Sequence, residues 1–420
     1  MLICSLELEI MMTRLLVFIG ILLFLDGYLF FGLRSVFSKS KLQPYLLIAY
    51  IIFAIVSYIG FYVMVQYFQE RTLNATLSRN LLIGISFSFI IFKILFFVFL
   101  AIDDVLRILN YTFQSFSKFM GYTPSVDFDE RRQFIVKLGL GIASIPFASM
   151  LYGITKGKYN YKVKNIVLNF SNLPKAFDGF KLVQISDIHS GSFDSLEDVQ
   201  HGVDLINEQN ADVVLFTGDL VNSDSREIIP YIETFKSIKP KVYSVLGNHD
   251  YSDYNQWESK EAKKENADLM DVYHKEMDFQ LMKNEHVILK KKNEEITLLG
   301  VENWGKGFKQ KGDLDKALEG VDTNAFKILL SHDPTHWDLK TVPHSTNIDL
   351  TLAGHTHGMQ FGIDIPGFKW SPAKFRYARW SGLYKEAKQY LYVNRGFGFL
   401  GFPGRVGMWP EITVIELKKA

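Results

Sequence analysis

Apolar residues are distributed unevenly along this 420-residue chain. Up to about position 154 they form long runs, and beyond it short apolar stretches alternate with polar sequence of mixed charge. Four of the long runs, at 15–33, 45–67, 81–101 and 134–152, are of the length needed. A bilayer core of ~30 Å takes about 20 residues of helix to cross. The pattern therefore predicts an all-α anchor of about four transmembrane helices over 1–154, followed by a soluble domain over 161–420. Because three further spans follow the first run, it reads as an anchor and not as a cleavable signal peptide. Two charges interrupt the apolar runs, Asp26 in the first and Lys93 in the third. An ionised group at mid-depth costs about 2.5–3.5 kcal/mol, so the two are expected to seek each other or a polar cavity.

Beyond the anchor, five short runs read as buried strands: 181–186, 211–217, 242–246, 326–330 and 348–352. Each ends just before a polar cluster. In order these are Asp187-Ile188-His189, Gly218-Asp219, Gly247-Asn248-His249-Asp250, Ser331-His332-Asp333 and Gly354-His355-Thr356-His357. The C-terminal ends of strands are where open α/β sheets place their ligand sites. Gly218, Gly247 and Gly354 let the backbone turn sharply there. Carboxylate, imidazole and amide oxygen side by side suit divalent zinc, iron or manganese, and the clusters together supply a dinuclear metal site. The only cysteine is Cys4, which excludes a cysteine-based zinc site and an intrachain disulfide. His201, His274, His286, His336 and His344 belong to none of these clusters and read as surface or hydrogen-bonded histidines, with His336 close enough to His332 to support it.

The ordered set D-x-H, G-D, G-N-H-D, H and G-H-x-H resembles the calcineurin-like metallophosphoesterases, over roughly residues 161–416. Flanking text, Asn172-Leu173-Pro174 with Gly179-Phe180 and Pro410-Glu411-Ile412, resembles a membrane-associated bacterial branch of that family. The resemblance implies a four-layer αββα sandwich and hydrolysis of a phosphoester (mono-, di- or pyrophosphate). By motif it assigns Asp187, His189 and His357 to a first metal, Asn248, His332 and His355 to a second, and Asp219 to a bridge between them. It makes His249 the proton donor to the leaving group, with Asp250 or another carboxylate orienting its ring. The two cations would be manganese, iron or zinc, and hydroxide at such a pair the nucleophile. One departure from the relatives is Gly358-Met359-Gln360, where a second glycine often follows; it bears on loop shape.

The remaining sequence bounds partners and topology. Basic and acidic residues number 46 and 45, which makes no case for nucleic acid. The expected partners are the phosphoester, lipid-linked or from the cell envelope, and membrane lipids. The loop after the first span carries Arg34, Lys39 and Lys41, and the one before the fourth carries Arg107, Lys118, Arg131 and Arg132. The loop between the second and third spans has only Arg71 and Arg79, with Glu70. Positive charge stays inside, which predicts a multi-pass cell-membrane protein with the catalytic domain outside. Arg131-Arg132-Gln133-Phe134-Ile135-Val136-Lys137 resembles a twin-arginine export signal, or is a paired arginine at the cytoplasmic end of a helix; both readings put the domain outside. Residues 161–180 read as a connection, and 252–284 as a charged, solvated helix. Residues 361–392 mix aromatics with Lys369, Lys374, Arg376 and Arg379, which suits a substrate groove, a lipid-headgroup contact or core packing. The rival readings are a catalytically weak phosphate-sensing protein, for which no ligand is missing, and a transport-associated one, for which Asp26 and Lys93 are the clue.

Overall fold

The computed structural model describes residues 2–70, 73–121 and 129–420, with side chains for 13–66, 73–121 and 131–420. Arg71 and the side chain of Cys4 lie outside the described residues. Two compact units are present, one of residues 1–69 with 81–151, the other of residues 70–80 with 152–420.

The first unit is four helices, α1 (Leu2–Val36), α2 (Gln43–Glu70), α3 (Leu77–Phe119) and α4 (Asp129–Thr155). All four contain a stretch long and apolar enough to cross a membrane. At ~1.5 Å per residue the 43 residues of α3 extend about 65 Å, so it outruns a bilayer core and carries Asp103, Asp104 and Arg107 beyond the apolar run. Leu29, Leu33, Phe89, Phe92, Phe96 and Val136 form the core of this unit. Asp26 and Lys93 do pair, Oδ1 to Nζ at 2.8 Å, with Lys93 fully buried. The Tyr50 and Tyr58 hydroxyls donate to the same carboxylate at 2.7 and 2.6 Å. Arg131 and Arg132 in α4 stand 3.8 and 3.9 Å from Asp103, and Arg132 also donates to Ser35 Oγ at 2.8 Å.

In the second unit two six-stranded mixed sheets pack face to face. The first contains β1 (Lys162–Phe170), β2 (Phe180–Ile185), β3 (Val213–Phe216), β4 (Val242–Ser244), β5 (Phe279–Leu281) and β14 (Glu411–Lys419), in the order β1-β14-β2-β3-β4-β5. The second contains β6 (Glu285–Lys291), β7 (Glu294–Gly300), β8 (Lys327–Leu330), β9 (Leu350–Ala353), β12 (Gly382–Glu386) and β13 (Gln389–Val393), in the order β12-β13-β9-β8-β7-β6. A separate hairpin, β10 (Ile363–Ile365) and β11 (Phe368–Trp370), belongs to neither.

Alternation along each strand explains the layers. On β2 and β3, Leu182, Val213 and Leu215 point into the core between the sheets, where they meet Leu298, Ile328, Leu330 and Leu352. Their neighbours Val183, Ile185, Val214 and Phe216 point the other way and pack under α5 (Leu196–Glu208), α6 (Ile232–Lys236) and α7 (Lys260–Glu276) through Val203, Phe235 and Met270. Short helical turns carrying Leu314, Ala317 and Trp337 cover the outer face of the second sheet. The five expected strands are all present, but three lie in one sheet and two in the other. One expectation is corrected. Residues 161–180 are not a bare connection, since β1 pairs with β14 in parallel over nine residues. As an edge strand half open to water, β1 lacks the apolar run that marks a buried one.

Candidate metal centre

Strand ends of the two face-packed sheets assemble the centre. Asp187 and His189 follow β2, Asp219 follows β3 and Asn248 follows β4, while His332 follows β8 and His355 and His357 follow β9. Six of the seven converge, and Asn248 follows Gly247, which packs against Asp219. Asp187, His189 and His357 form one group of converging donor atoms, and Asp219, His332 and His355 form another. The Nε2 atoms of His189 and His357 approach to 3.0 Å, and His357 Nε2 lies 3.2 Å from Asp187 Oδ1. Asp219 Oδ2 stands between the groups, 3.5 Å from His189 Nε2 and 3.1 Å from His332 Nε2. His332 and His355 approach to 3.3 Å.

Backbone contacts hold these side chains. His332 Nδ1 faces the Thr217 carbonyl at 2.7 Å, which accepts its proton and fixes the ring with Nε2 toward Asp219. Asp187 accepts from the His355 N–H at 3.0 Å, and Asp219 Oδ1 from the His249 N–H at 2.8 Å. A Cβ on Gly247 would fall 2.1 Å from Asp219 Oδ1, and one on Gly354 2.3 Å from Asp187 Oδ2. Only glycine permits these approaches.

The donor set fits divalent cations. Two imidazole nitrogens at 3.0 Å, each near a carboxylate, are poorly satisfied by one another and well satisfied by a cation. Asn248 is buried, its Nδ2 donates to the Tyr254 hydroxyl at 2.8 Å, and its Oδ1 has no hydrogen-bond partner. A buried amide oxygen left without a donor costs about 1–3 kcal/mol unless something else coordinates it. The electrostatics agree. Burial alone would raise Asp219, but the imidazoles of His332, His249 and His189 hold it well below the usual carboxylate range. Asp187 is held low in the same way, against burial, chiefly by His357. Burial pushes His189 well down and His355 down to about 4, so both rings are neutral at pH 7, the form able to bind a cation. His332 is the exception: burial opposes its charge, yet Asp219 and Asp187 push it up to about 10.

His249 sits beside the ligands, its ring edge-on to His189 at 4.9 Å and stacked on Tyr254 at 4.3 Å. Its Nδ1 faces the Asn222 carbonyl at 2.6 Å. A carbonyl only accepts, so Nδ1 carries hydrogen and Nε2 is left to hold or release a proton. Here the expectation for Asp250 is corrected. Its carboxylate does not orient His249; it accepts backbone N–H groups of Asp219, Gly247, Leu220 and Val221 at 2.8–3.3 Å. Asp250 shapes the turns that carry Asp219 and Asn248, and the ring of His249 is oriented by a carbonyl where a carboxylate was expected.

Several contributors carry no motif. Glu227, buried and pushed up to about 8 by burial against its backbone donors, accepts from the Asn222 N–H at 2.6 Å and so fixes the loop whose carbonyl holds His249. Arg405 is buried with its guanidinium 3.1 Å from His357 Nδ1, held by the carbonyls of Gly398, Met408 and Arg395. The Tyr377 hydroxyl lies 2.9 Å from His355 Nε2. Segment 74–80 joins the same unit: Ala75 donates to the Gly191 carbonyl, Asn74 to that of Glu227, and Asn80 to Asp194. The five histidines outside the motifs stay outside the donor groups; His336 reaches the Ser331-His332-Asp333 cluster through Ser331 Oγ at 2.9 Å and the Asp333 carbonyl at 3.1 Å.

Two family models match this chain. One, described as a probable calcineurin-like phosphoesterase transmembrane domain, covers residues 12–158, and the other, calcineurin-like phosphoesterase, covers residues 180–359. A transmembrane protein with metallophosphoesterase domain from Danio rerio is 31% identical over 283 residues, which are 64% of this chain and 60% of that protein. The Bacillus subtilis (strain 168) metallophosphoesterase YkuE is 31% identical over 254 residues, 59% of this chain and 82% of that one. Escherichia coli (strain K12) phosphodiesterase YaeI is 26% identical over 246 residues, 57% and 82%. The chain belongs to the calcineurin-like metallophosphoesterase family, and its four N-terminal helices make it a membrane protein.

Proposed function

We propose that the chain is a membrane-anchored phosphoesterase working with two divalent cations, manganese, iron or zinc. The observation that carries this is the pair of three-residue donor groups with Asp219 within reach of both and Asn248 Oδ1 otherwise unpartnered. Asp187, His189 and His357 would hold one cation, Asn248, His332 and His355 the other, and Asp219 both. Bound there, the cations supply charge to polarise a phosphoryl group and to acidify water towards a pKa of roughly 7.

The chain's own residues do the rest. His249, with Nδ1 fixed on Asn222, presents Nε2 to protonate the leaving-group oxygen. Glu227 and Asp250 keep the two loops of that arrangement in place. An amphiphilic or envelope phosphoester is the substrate class that a bilayer-tethered site meets, with the domain on the extracytoplasmic side. The test is metal analysis and hydrolysis by the purified full chain with manganese, on nitrophenyl mono- and diesters. Two ions per chain and turnover lost in Asp219→Asn are expected; active protein holding one ion or none would overturn the dinuclear reading.

A further inference from the structure

The hairpin of β10 and β11 stands open to water, tied to the domain by its polar face and not by its apolar one. Its register pairs Ile363 with Trp370, Asp364 with Lys369 and Ile365 with Phe368. Side chains alternate across a strand, so Ile363, Ile365, Phe368 and Trp370 share one face while Asp364 and Lys369 share the other. The polar face is the one tied to the domain. Asp364 accepts from Arg395 at 2.7 Å and from Lys164 at 3.2 Å, and Lys369 donates to the Ser381 carbonyl at 2.6 Å. The apolar face is left to solvent, with Ile363 46%, Ile365 57% and Phe368 53% exposed. Single exposed apolar residues are ordinary, but three together on the hairpin face away from its ties to the domain are not.

The surroundings indicate what covers it. At the hairpin's base the Gly362 N–H donates to the Val406 carbonyl at 2.9 Å. The Arg405 N–H, one residue earlier, reaches the Gly153 carbonyl, and Trp409 packs edge-on against Tyr152 at 5.8 Å. Gly153 and Tyr152 lie in the last turns of the fourth span, Arg131–Thr155. The base of the hairpin is thus tied, within one unit, to the last turns of the fourth span, and it reaches about 10 Å at ~3.3 Å per residue. Close by in the fold, the turn of His357–Gln360 packs against the helical turn of Pro372–Phe375, which exposes Phe375 at 77% next to the exposed Lys374 and Arg376. Aromatic, aliphatic and basic groups together are what the boundary between headgroups and acyl chains accepts.

We propose that the apolar face of the β10–β11 hairpin is seated in the lipid interface of the bilayer that holds the chain. The proposal stands on this surface alone and is independent of the reaction at the metal centre. It is tested on the full chain in nanodiscs of phosphatidylcholine and phosphatidylglycerol, with Cys4→Ser removing the native thiol. A bimane fluorophore is attached at Ile365→Cys or Phe368→Cys, and at Asn293→Cys in the β6–β7 turn, at the strand ends opposite the metal ligands. Variants whose thermal melting matches the parent are compared for quenching by doxyl-labelled lipid and by iodide in the water. The expected result is at least twofold stronger lipid quenching at 365 and 368 than at 293, with iodide quenching reduced to match. Hairpin probes as open to iodide as position 293 would overturn the proposal. So would probes shielded from both quenchers, which would mean that a second copy or another protein covers the face.

Discussion

Replacing His249 by alanine tests the proposed proton donor, because its ring belongs to neither group of converging donor atoms. Nδ1 is committed to the Asn222 carbonyl at 2.6 Å, and the ring is stacked on Tyr254 at the edge of the donor set. Its backbone N–H does hold Asp219 Oδ1, and that bond survives any side-chain change. Metal content should therefore stay near that of the parent protein. Loss of a positioned general acid lowers the rate by roughly 10²–10⁴, equivalent to ~3–5 kcal/mol at ~1.36 kcal/mol per decade. The size of the loss should depend on the leaving group: alkyl esters need a proton, whereas nitrophenolate departs almost without one. The assay is kcat/KM for a series of esters of graded leaving-group pKa, on full-length parent and variant in detergent. A steeper dependence on leaving-group pKa in the variant is expected. An equal loss across the series, or loss of metal, would refute the reasoning and give His249 a ligand or structural role.

Three further outcomes follow from the geometry. In the metal-free protein His332 keeps its proton up to about pH 10, whereas ligation needs the neutral ring. Metal uptake near pH 7 should then release about one proton from it, and affinity should rise with pH by up to tenfold per unit. Calorimetry in two buffers of different ionisation enthalpy checks this, and pH-independent affinity between 6 and 8 would contradict it. Asp26→Asn strands a fully buried Lys93 and should cost about 3–5 kcal/mol, most of it recovered in Asp26→Asn with Lys93→Met; equal melting of single and double variants would show that the pair is not coupled. A reporter fused after Ala420 should behave as exported, and should stay so when Arg131 and Arg132 become lysine if charge bias alone sets the topology; a domain protected from protease in spheroplasts would reverse the orientation.

How much of this was legible in the sequence depended on whether a residue's role left a local pattern. The buried strands β2, β3, β4, β8 and β9 are continuous apolar runs because both of their faces are covered, and the ligands follow at their ends. The four membrane helices announce themselves by length. The edge strand β1, half open to water, and the small hairpin, exposed along nearly all its length, do not. Within the centre, the roles of Glu227 and Arg405 were invisible because both act on backbone groups, which carry no residue signature. Glu227 serves N–H donors of a loop and Arg405 binds three carbonyls, and any buried acid or arginine would look the same. Asp250 misled for the complementary reason: adjacency to His249 suggested a partner, while the turn directs its carboxylate back to four amides.

Backbone conformation is the part no residue pattern states. Asp187, His189, Asp219, His355 and His357 all have left-handed backbones, with φ between 49° and 70°, whereas Asn248 and His332 do not. For residues with a Cβ that region costs of the order of 1 kcal/mol each, so the five together store about 5 kcal/mol in the turns that aim the ligands. Cation binding at the proposed site would offset this strain by favouring the folded form. The strain also decides how the centre should be probed. Asp219→Asn keeps a residue type that tolerates the left-handed region, so its effect on metal content reports the lost carboxylate charge. Asp219→Ala removes that tolerance along with the charge, and Asp219→Gly removes the charge while relieving the strain. If the three lose metal to the same degree, the carboxylate alone holds the cations. A graded loss, with glycine or alanine worse than asparagine, would show that the pre-set turn contributes to binding as well.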